Sequence, residues 1–129
     1  MNDPAAITGY HAHVYYTDAE ARARAAKLRA ALDERFEVKL GRWRDEPVGP
    51  HPRPMYQVAF ARELFASLVP WLMLNRDGLD ILVHPLTGDD VADHRKFPLW
   101  LGEALPLDIG FLEGLRDGNE ASKQGAEPG

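Results

Sequence analysis

Five histidines are the residues of this 129-residue chain best suited to chemistry, because an imidazole binds metals and transfers protons near neutral pH. Two of them, His11 and His13, lie in the stretch GYHAHVYY, whose β-branched and aromatic composition predicts a strand over residues 7–16. Side chains alternate across a strand, so both imidazoles project from one face of a sheet. The spacing therefore predicts a shared metal or acid–base site.

His84 extends this histidine set, because it follows a compact apolar strand predicted over residues 79–83. If that strand pairs antiparallel with the first, its carboxyl end lies beside His11. We therefore predict that His11, His13 and His84 bind a metal, and three neutral imidazoles suit iron, zinc, copper or manganese. Iron(II) oxygenases commonly add a carboxylate, and the candidates here are Asp89, Asp90, Asp93 and Glu103.

The other two histidines lie in segments whose positions are less constrained. His51 belongs to a proline-rich loop over residues 44–54, which reaches the histidines of the first strand only by folding over the sheet, and otherwise reaches a neighbouring subunit. His94 lies in the polar stretch DDVADHRKF, which the predicted topology does not place. Because loops often carry mobile catalytic groups, we predict acid–base or supporting roles for His51 and His94.

Hydrophobic periodicity predicts the elements that position these histidines. A capping-box pattern, Thr17 to Glu20, predicts the start of an amphipathic helix that ends near residue 34. Two strands follow, over residues 36–41 and 55–60, and a second helix over residues 62–76 that Pro70 kinks or divides. Thr87 is predicted to cap a further turn or helix.

The resulting order, β-α-β-β-α-β, is typical of an α+β ferredoxin-like sandwich. It predicts a four-stranded antiparallel sheet in the order 4-1-3-2, with two helices on one face and the histidines on the open face. We expect residues 1–116 to form one domain and residues 117–129 to form a flexible tail. Because Leu82 and Tyr15 share the open face with the histidines, we expect a homodimer that covers this patch.

Composition excludes several classes of function. The chain has no cysteine, which rules out disulfides, thiolate nucleophiles and cysteine-ligated metal sites. The net charge of −5, with no concentrated basic stripe, argues against a nucleic-acid partner. Residues 1–10 lack the basic and apolar regions of a signal peptide, and no apolar run could span a membrane, so we expect a cytoplasmic protein.

Four phrases together resemble the DOPA 4,5-dioxygenase family of aromatic ring-cleaving enzymes: GYHAHVYY, GPHPRPMYQVAF, WLMLNRDGLDILVHPLTGDDVADH and FPLWLG. The resemblance covers roughly residues 8–102 and includes all five histidines. It implies a ferredoxin-like, often dimeric protein that cleaves a catechol with O₂ at a non-haem iron, Fe(II), although zinc is another divalent metal that such a site accepts.

The residues agree with such a reaction. Histidines supply metal ligands and an acid–base group, Arg53 is a candidate clamp for a substrate carboxylate, and Tyr15 is a candidate lining residue for the ring pocket. Two alternatives from other classes remain open. One is a dimeric ferredoxin-like binding domain without catalysis. The other is a metal-independent isomerase or monooxygenase that uses its histidines only as acids and bases.

Overall fold

A computed structural model describes residues 1–118, so most of the predicted tail, residues 119–129, lies outside the described residues. Its element order is: β1 (Gly9–Tyr15), α1 (Ala19–Arg35), β2 (Lys39–Leu40), β3 (Met55–Ala61), α2 (Phe65–Asn75), β4 (Ile81–Leu86), α3 (Asp90–Arg95), β5 (Leu99–Leu101) and α4 (Ile109–Gly118). Short 3₁₀ turns precede β1, at Pro4–Ala6, and α2, at Arg62–Leu64.

One antiparallel sheet with the strand order β2-β3-β1-β4-β5 forms the centre of the described chain. The four predicted strands have the predicted relative order, with β1 between β3 and β4. The prediction of four strands and two helices was wrong, because β5 adds a fifth strand beside β4, α3 lies between β4 and β5, and α4 follows β5. The architecture is therefore α+β with an open antiparallel sheet, and the ferredoxin-like description fits it only in part.

The first face of the sheet carries the main hydrophobic core. Ala12 and Val14 are fully buried there beneath α1 and α2. The inward side of α1 repeats at helical spacing, with Ala21, Ala25, Leu28 and Leu32, and α2 contributes Leu68, Val69 and Leu72. Alternation along β1 therefore places His11 and His13 on the opposite face, as predicted.

The second face of the sheet is covered rather than open, which corrects the sequence-based expectation. Tyr15, Met55, Leu82 and Leu105 are buried together on this face, with Val48, Trp100 and Leu107 packed against them. The proline loop is held over the face by the N–H of Asp108, which donates to the carbonyl of Pro50 at 2.8 Å. Since Tyr15 and Leu82 are covered by their own chain, the exposed patch that motivated the homodimer does not exist, and the dimer stays a prediction.

Three local details differ from the sequence interpretation. The N-cap of α1 is Asp18 rather than Thr17. The break in the second helix falls before Phe65, and α2 continues through Pro70 to its end. Thr87 does not cap α3, because the side chain of Asp89 caps it.

None of the helices in the described chain is long and apolar enough to cross a bilayer.

Replacing Asp18 tests the capping interaction of α1. The carboxylate of Asp18 accepts the N–H of Ala21 at 2.8 Å, so Asp18→Ala should lower the free energy of unfolding by about 0.5–2 kcal/mol. Thr17→Ala is the matched control and should cost less. Urea denaturation measures both, and a larger loss in Thr17→Ala would contradict the assignment of the cap.

Candidate metal centre

Four of the five histidines meet in the covered layer on the second face of the sheet. His13 and His84 come from the central strands β1 and β4, His51 from the proline loop and His94 from α3. Their exposed fractions are 0% for His13, 1% for His84, 3% for His51 and 2% for His94. The structure therefore brings together residues from four separate parts of the chain, including the two whose positions the sequence left open.

His11 lies at the edge of this group and is partly exposed. The register of the sheet sets His11 directly opposite His84, as the antiparallel pairing predicted. The ring centroid of His11 lies 5.2 Å from that of His84 and 5.9 Å from that of His13. His11 is thus the member of the cluster with access to solvent.

Hydrogen bonds fix the tautomers of two of the rings. Nδ1 of His94 lies 2.7 Å from the carbonyl oxygen of Asp90, and Nδ1 of His84 lies 3.0 Å from that of Pro85. A carbonyl accepts but cannot donate, so both Nδ1 atoms carry the proton and both Nε2 atoms carry a lone pair. The spacing of four residues between Asp90 and His94 is the spacing of helical neighbours, and a prediction of α3 would have revealed it.

The tautomer of His13 follows from its neighbour. Nε2 of His13 lies 3.2 Å from Nε2 of His84, which has a lone pair and must therefore accept. His13 accordingly donates from Nε2, and its Nδ1 carries a lone pair. Nδ1 of His13 is buried and has no hydrogen-bond partner within residues 1–118.

The ring of His51 is in hydrogen-bond contact with Tyr15. The phenol oxygen of Tyr15 lies 2.7 Å from Nδ1 of His51, and both residues are buried. Nε2 of His51 is buried without a hydrogen-bond partner in the described part of the chain, and Nε2 of His94 is in the same condition. Three buried imidazole nitrogens are thus unpartnered, although such polar atoms are normally satisfied in folded proteins.

Two groups of histidines in the described chain have ring nitrogens close enough to share a metal ion. In each group, one ring nitrogen from every histidine lies within 4.8 Å of the others. One group is His11, His13 and His84, and the other is His13, His51 and His94. Both groups, found within residues 1–118, consist of histidines only and include no carboxylate. The second group contains the three histidines of the described chain that have a buried, unpartnered ring nitrogen.

The acidic residues that the sequence offered as ligands have other roles. Asp93 is fully buried, but its two carboxylate oxygens accept the N–H of Thr87 at 2.9 Å and the hydroxyl of Thr87 at 2.6 Å. Asp89 caps α3, and the carbonyl of Asp90 orients His94. Glu103 is exposed. The Thr87–Asp93 pair joins the end of β4 to α3 and so links the positions of His84 and His94.

The two residues predicted to bind substrate have protein partners. Arg53 forms an ion pair with Asp80 at 3.3 Å and is about one-third exposed. Tyr15 is 1% exposed and contacts His51. Burial raises the pKa of Tyr15 above its ordinary value, and the nearby Arg53 opposes that rise. Tyr15 therefore belongs to the interior of the site.

Two cavities reach the cluster from different sides. A cavity of about 500 Å³ is lined by His84 and by apolar side chains that include Tyr10, Phe65, Phe97 and Leu99. A smaller one, of about 60 Å³, reaches His51 between Arg42, Arg44 and Gln57. The larger cavity falls in the size range of small-molecule sites, and the smaller one holds a few waters at most.

Burial favours the neutral form of two of these histidines, His13 and His51. Desolvation, and then repulsion from His51 and His84, lowers the pKa of His13 well below its ordinary value. Burial, followed by repulsion from His94 and His11, lowers the pKa of His51 to about 3. Neutral imidazole is the form that binds a metal ion.

The buried histidines on the covered face of the antiparallel sheet have spacing and donor chemistry that could hold a metal ion. Residues 10–111 match the model of the Dopa 4,5-dioxygenase family. The chain therefore belongs to that family.

Similar proteins agree with this membership. The chain is 39% identical over 114 residues to a DOPA 4,5-dioxygenase of Amanita muscaria, an alignment that covers 82% of this chain and 50% of that protein. It is 35% identical over 120 residues to an uncharacterized 21.2 kDa protein of Botryotinia fuckeliana, covering 83% and 64%. The chain thus spans between half and two-thirds of the curated relatives that it matches.

A crystal structure from Nostoc punctiforme, designated provisionally as a dioxygenase, has the same fold. It is 60% identical to this chain with a TM-score of 0.87, and the alignment covers 89% of this chain and 99% of that one. The scaffold around the histidines is therefore shared with a solved protein over nearly all of that protein's length.

Acid should destabilise the metal-free protein. The folded state holds His13 and His51 at lowered pKa values, so the unfolded chain binds more protons once the pH falls below about 6.5. The free energy of unfolding should then fall with decreasing pH, by up to about 1.4 kcal/mol per pH unit for each histidine. Urea titrations in chelator between pH 7 and pH 5 measure this slope, and His51→Gln should remove about half of it. A slope unchanged in that variant would contradict the account.

Proposed function

We propose that the chain is a non-haem iron dioxygenase that cleaves a catechol-type aromatic ring with O₂ in the extradiol manner. The observation that carries the proposal is the set of three buried, unpartnered nitrogens on His13, His51 and His94, whose rings also form a group with metal-ligand spacing. Membership of the Dopa 4,5-dioxygenase family supports the reaction class.

The donor set fits a resident divalent metal. Histidines that bind a metal usually give their second ring nitrogen to a hydrogen-bond partner, which fixes the ring. All three rings show this arrangement, with His84 beside His13, Tyr15 beside His51 and the carbonyl of Asp90 beside His94. A bound iron would supply the O₂ and electron-transfer chemistry that ring cleavage requires.

The hydrogen bonds favour His13, His51 and His94 as the ligands over the set predicted from the sequence. In the sequence-based set, His11, His13 and His84, the spacing is equally acceptable. That choice, however, leaves the buried nitrogens of His51 and His94 without a role. We therefore assign His84 as the acceptor that fixes His13, and His11 as the acid–base group.

His11 suits proton transfer because it is partly exposed while its ring lies beside the buried cluster. A catechol must lose a proton to bind a cation through both oxygens, and an imidazole that reaches solvent can take it and pass it on. The buried rings keep water away from the reacting centre. The cavity of about 500 Å³ beside His84 has the size and aromatic lining for an aromatic ring.

The rival functions predict different properties. A binding domain without a cofactor has no use for three buried nitrogens that lack partners, since each such group costs free energy. A metal-independent acid–base enzyme could use the partly exposed His11, but it gives no role to the buried His13 and His51, whose pKa values are lowered. Both rivals therefore fit the cluster less well than a metal centre does.

Oxygen uptake tests the reaction. Protein reconstituted anaerobically with Fe(II) should consume one O₂ per catechol and form a yellow ring-opened product, with DOPA and simpler catechols as the first substrates. Protein treated with chelator is the control. Iron binding without any O₂ uptake across a panel of catechols would remove the proposed reaction while leaving the metal centre intact.

Alanine variants test the ligand set. His51→Ala should lose bound iron, because it removes one of the three converging nitrogens. His11→Ala should keep its iron while its turnover falls by about 10²–10⁴-fold, the usual effect of removing an acid–base group. Metal analysis, with far-UV circular dichroism to confirm folding, measures both. Iron kept by His51→Ala and lost by His11→Ala would restore the sequence-based set of His11, His13 and His84.

A further inference from the structure

We propose that Tyr15 is a positioning residue, whose hydroxyl holds the ring of His51 so that Nε2 faces the metal site. This inference rests on the proposed function, because it assumes that Nε2 of His51 is a metal ligand. It changes the role expected for Tyr15 from the sequence, which was to line the substrate pocket.

The contact between the two residues is short and dry. The phenol oxygen lies 2.7 Å from Nδ1 of His51, and the exposed fractions of Tyr15 and His51 are 1% and 3%. Tyr15 lies two residues after His13 on the same strand, so the two side chains share a face of the sheet. One strand thus supplies a ligand directly and orients a second ligand through a hydroxyl.

The ring of Tyr15 is itself held in place. It stacks on Trp100, with ring centroids 6.1 Å apart and an angle of 23° between the planes. Met55, Leu82 and Leu105 pack into the same cluster. The hydroxyl therefore occupies a defined point, and a rigid partner of this kind orients a ligand better than a mobile one.

The backbone around His51 depends on loop contacts rather than on a helix or strand. Its N–H donates to the carbonyl of Val48 at 3.1 Å, which places the residue in a turn. The contact with Tyr15 therefore supplies a constraint that the loop lacks. Without the hydroxyl, the imidazole could rotate and exchange its two nitrogens, and a buried Nδ1–H would lose its acceptor.

The direction of the hydrogen bond links Tyr15 to metal binding. A neutral imidazole has one N–H and one lone pair, so a ligand at Nε2 requires the proton at Nδ1. When a metal occupies Nε2, the phenol oxygen of Tyr15, 2.7 Å from Nδ1, accepts that proton and holds the ring in the orientation that binds. Loss of such a partner typically costs 10–100-fold in metal affinity.

A conservative pair of variants tests the inference. Tyr15→Phe removes only the hydroxyl and should weaken Co(II) affinity by about 10–100-fold, with its activity recovering at saturating Fe(II). Tyr56→Phe is the matched control, because its hydroxyl is equally buried and donates to the carbonyl of Ala25 at the same 2.7 Å, on the opposite face of the sheet. This control should lose stability but keep wild-type affinity.

Two measurements distinguish a failure of the proposed role of Tyr15 from a failure of the proposed metal centre. Equilibrium titration with Co(II) measures affinity, and long-range ¹H–¹⁵N spectra of histidine-labelled, metal-free protein report the tautomer of His51. Wild-type affinity in Tyr15→Phe, or a His51 spectrum identical to that of the wild type, would overturn the role of Tyr15. A wild-type protein that binds no Co(II) or Fe(II) would instead overturn the proposed metal centre, while the spectra still decide whether Tyr15 fixes the ring.

Discussion

The burial of four imidazole rings on the second face of the sheet is the constraint on which the rest of the site depends. A charged imidazole is costly in a dry interior, and burial lowers the pKa of His13 and His51. Each neutral ring must then place one donor and one acceptor. The donors of His13, His84 and His94 find acceptors on a neighbouring ring or a backbone carbonyl. The nitrogens left over on His13, His51 and His94 are buried, and these three residues form one group with metal-ligand spacing.

These hydrogen bonds also explain why spacing alone could not choose between the two possible ligand sets. His13 belongs to both groups with ligand spacing, so distances between rings give two equally acceptable answers. Only the partner of each second nitrogen distinguishes them, and those partners include the carbonyls of Asp90 and Pro85, which can be assigned only once α3 and β4 are placed. Hydrogen bonding, rather than the identity of the residues, carries the assignment.

Local periodicity predicted the scaffold more fully than the site. Alternation along β1 placed His11 and His13 on one face, and antiparallel pairing set His84 opposite His11. The closure of the second face depends on contacts between distant residues, such as Asp108 with Pro50 and Tyr15 with His51. No short-range pattern encodes such contacts. The sequence therefore predicted only a turn or helix after Thr87 where α3 lies, it did not predict β5 or α4, and the face was expected to be open.

Because the chain has no cysteine, a metal bound by the histidines would also affect its stability. His13, His51 and His94 lie about forty residues apart along the chain, so one ion held by all three would cross-link the central strand, the proline loop and α3. Closing two long loops removes conformational entropy from the unfolded chain, as a pair of disulfides does. Metal supply would then govern how long the folded chain survives as well as what it catalyses, in a protein that has no covalent cross-link of its own.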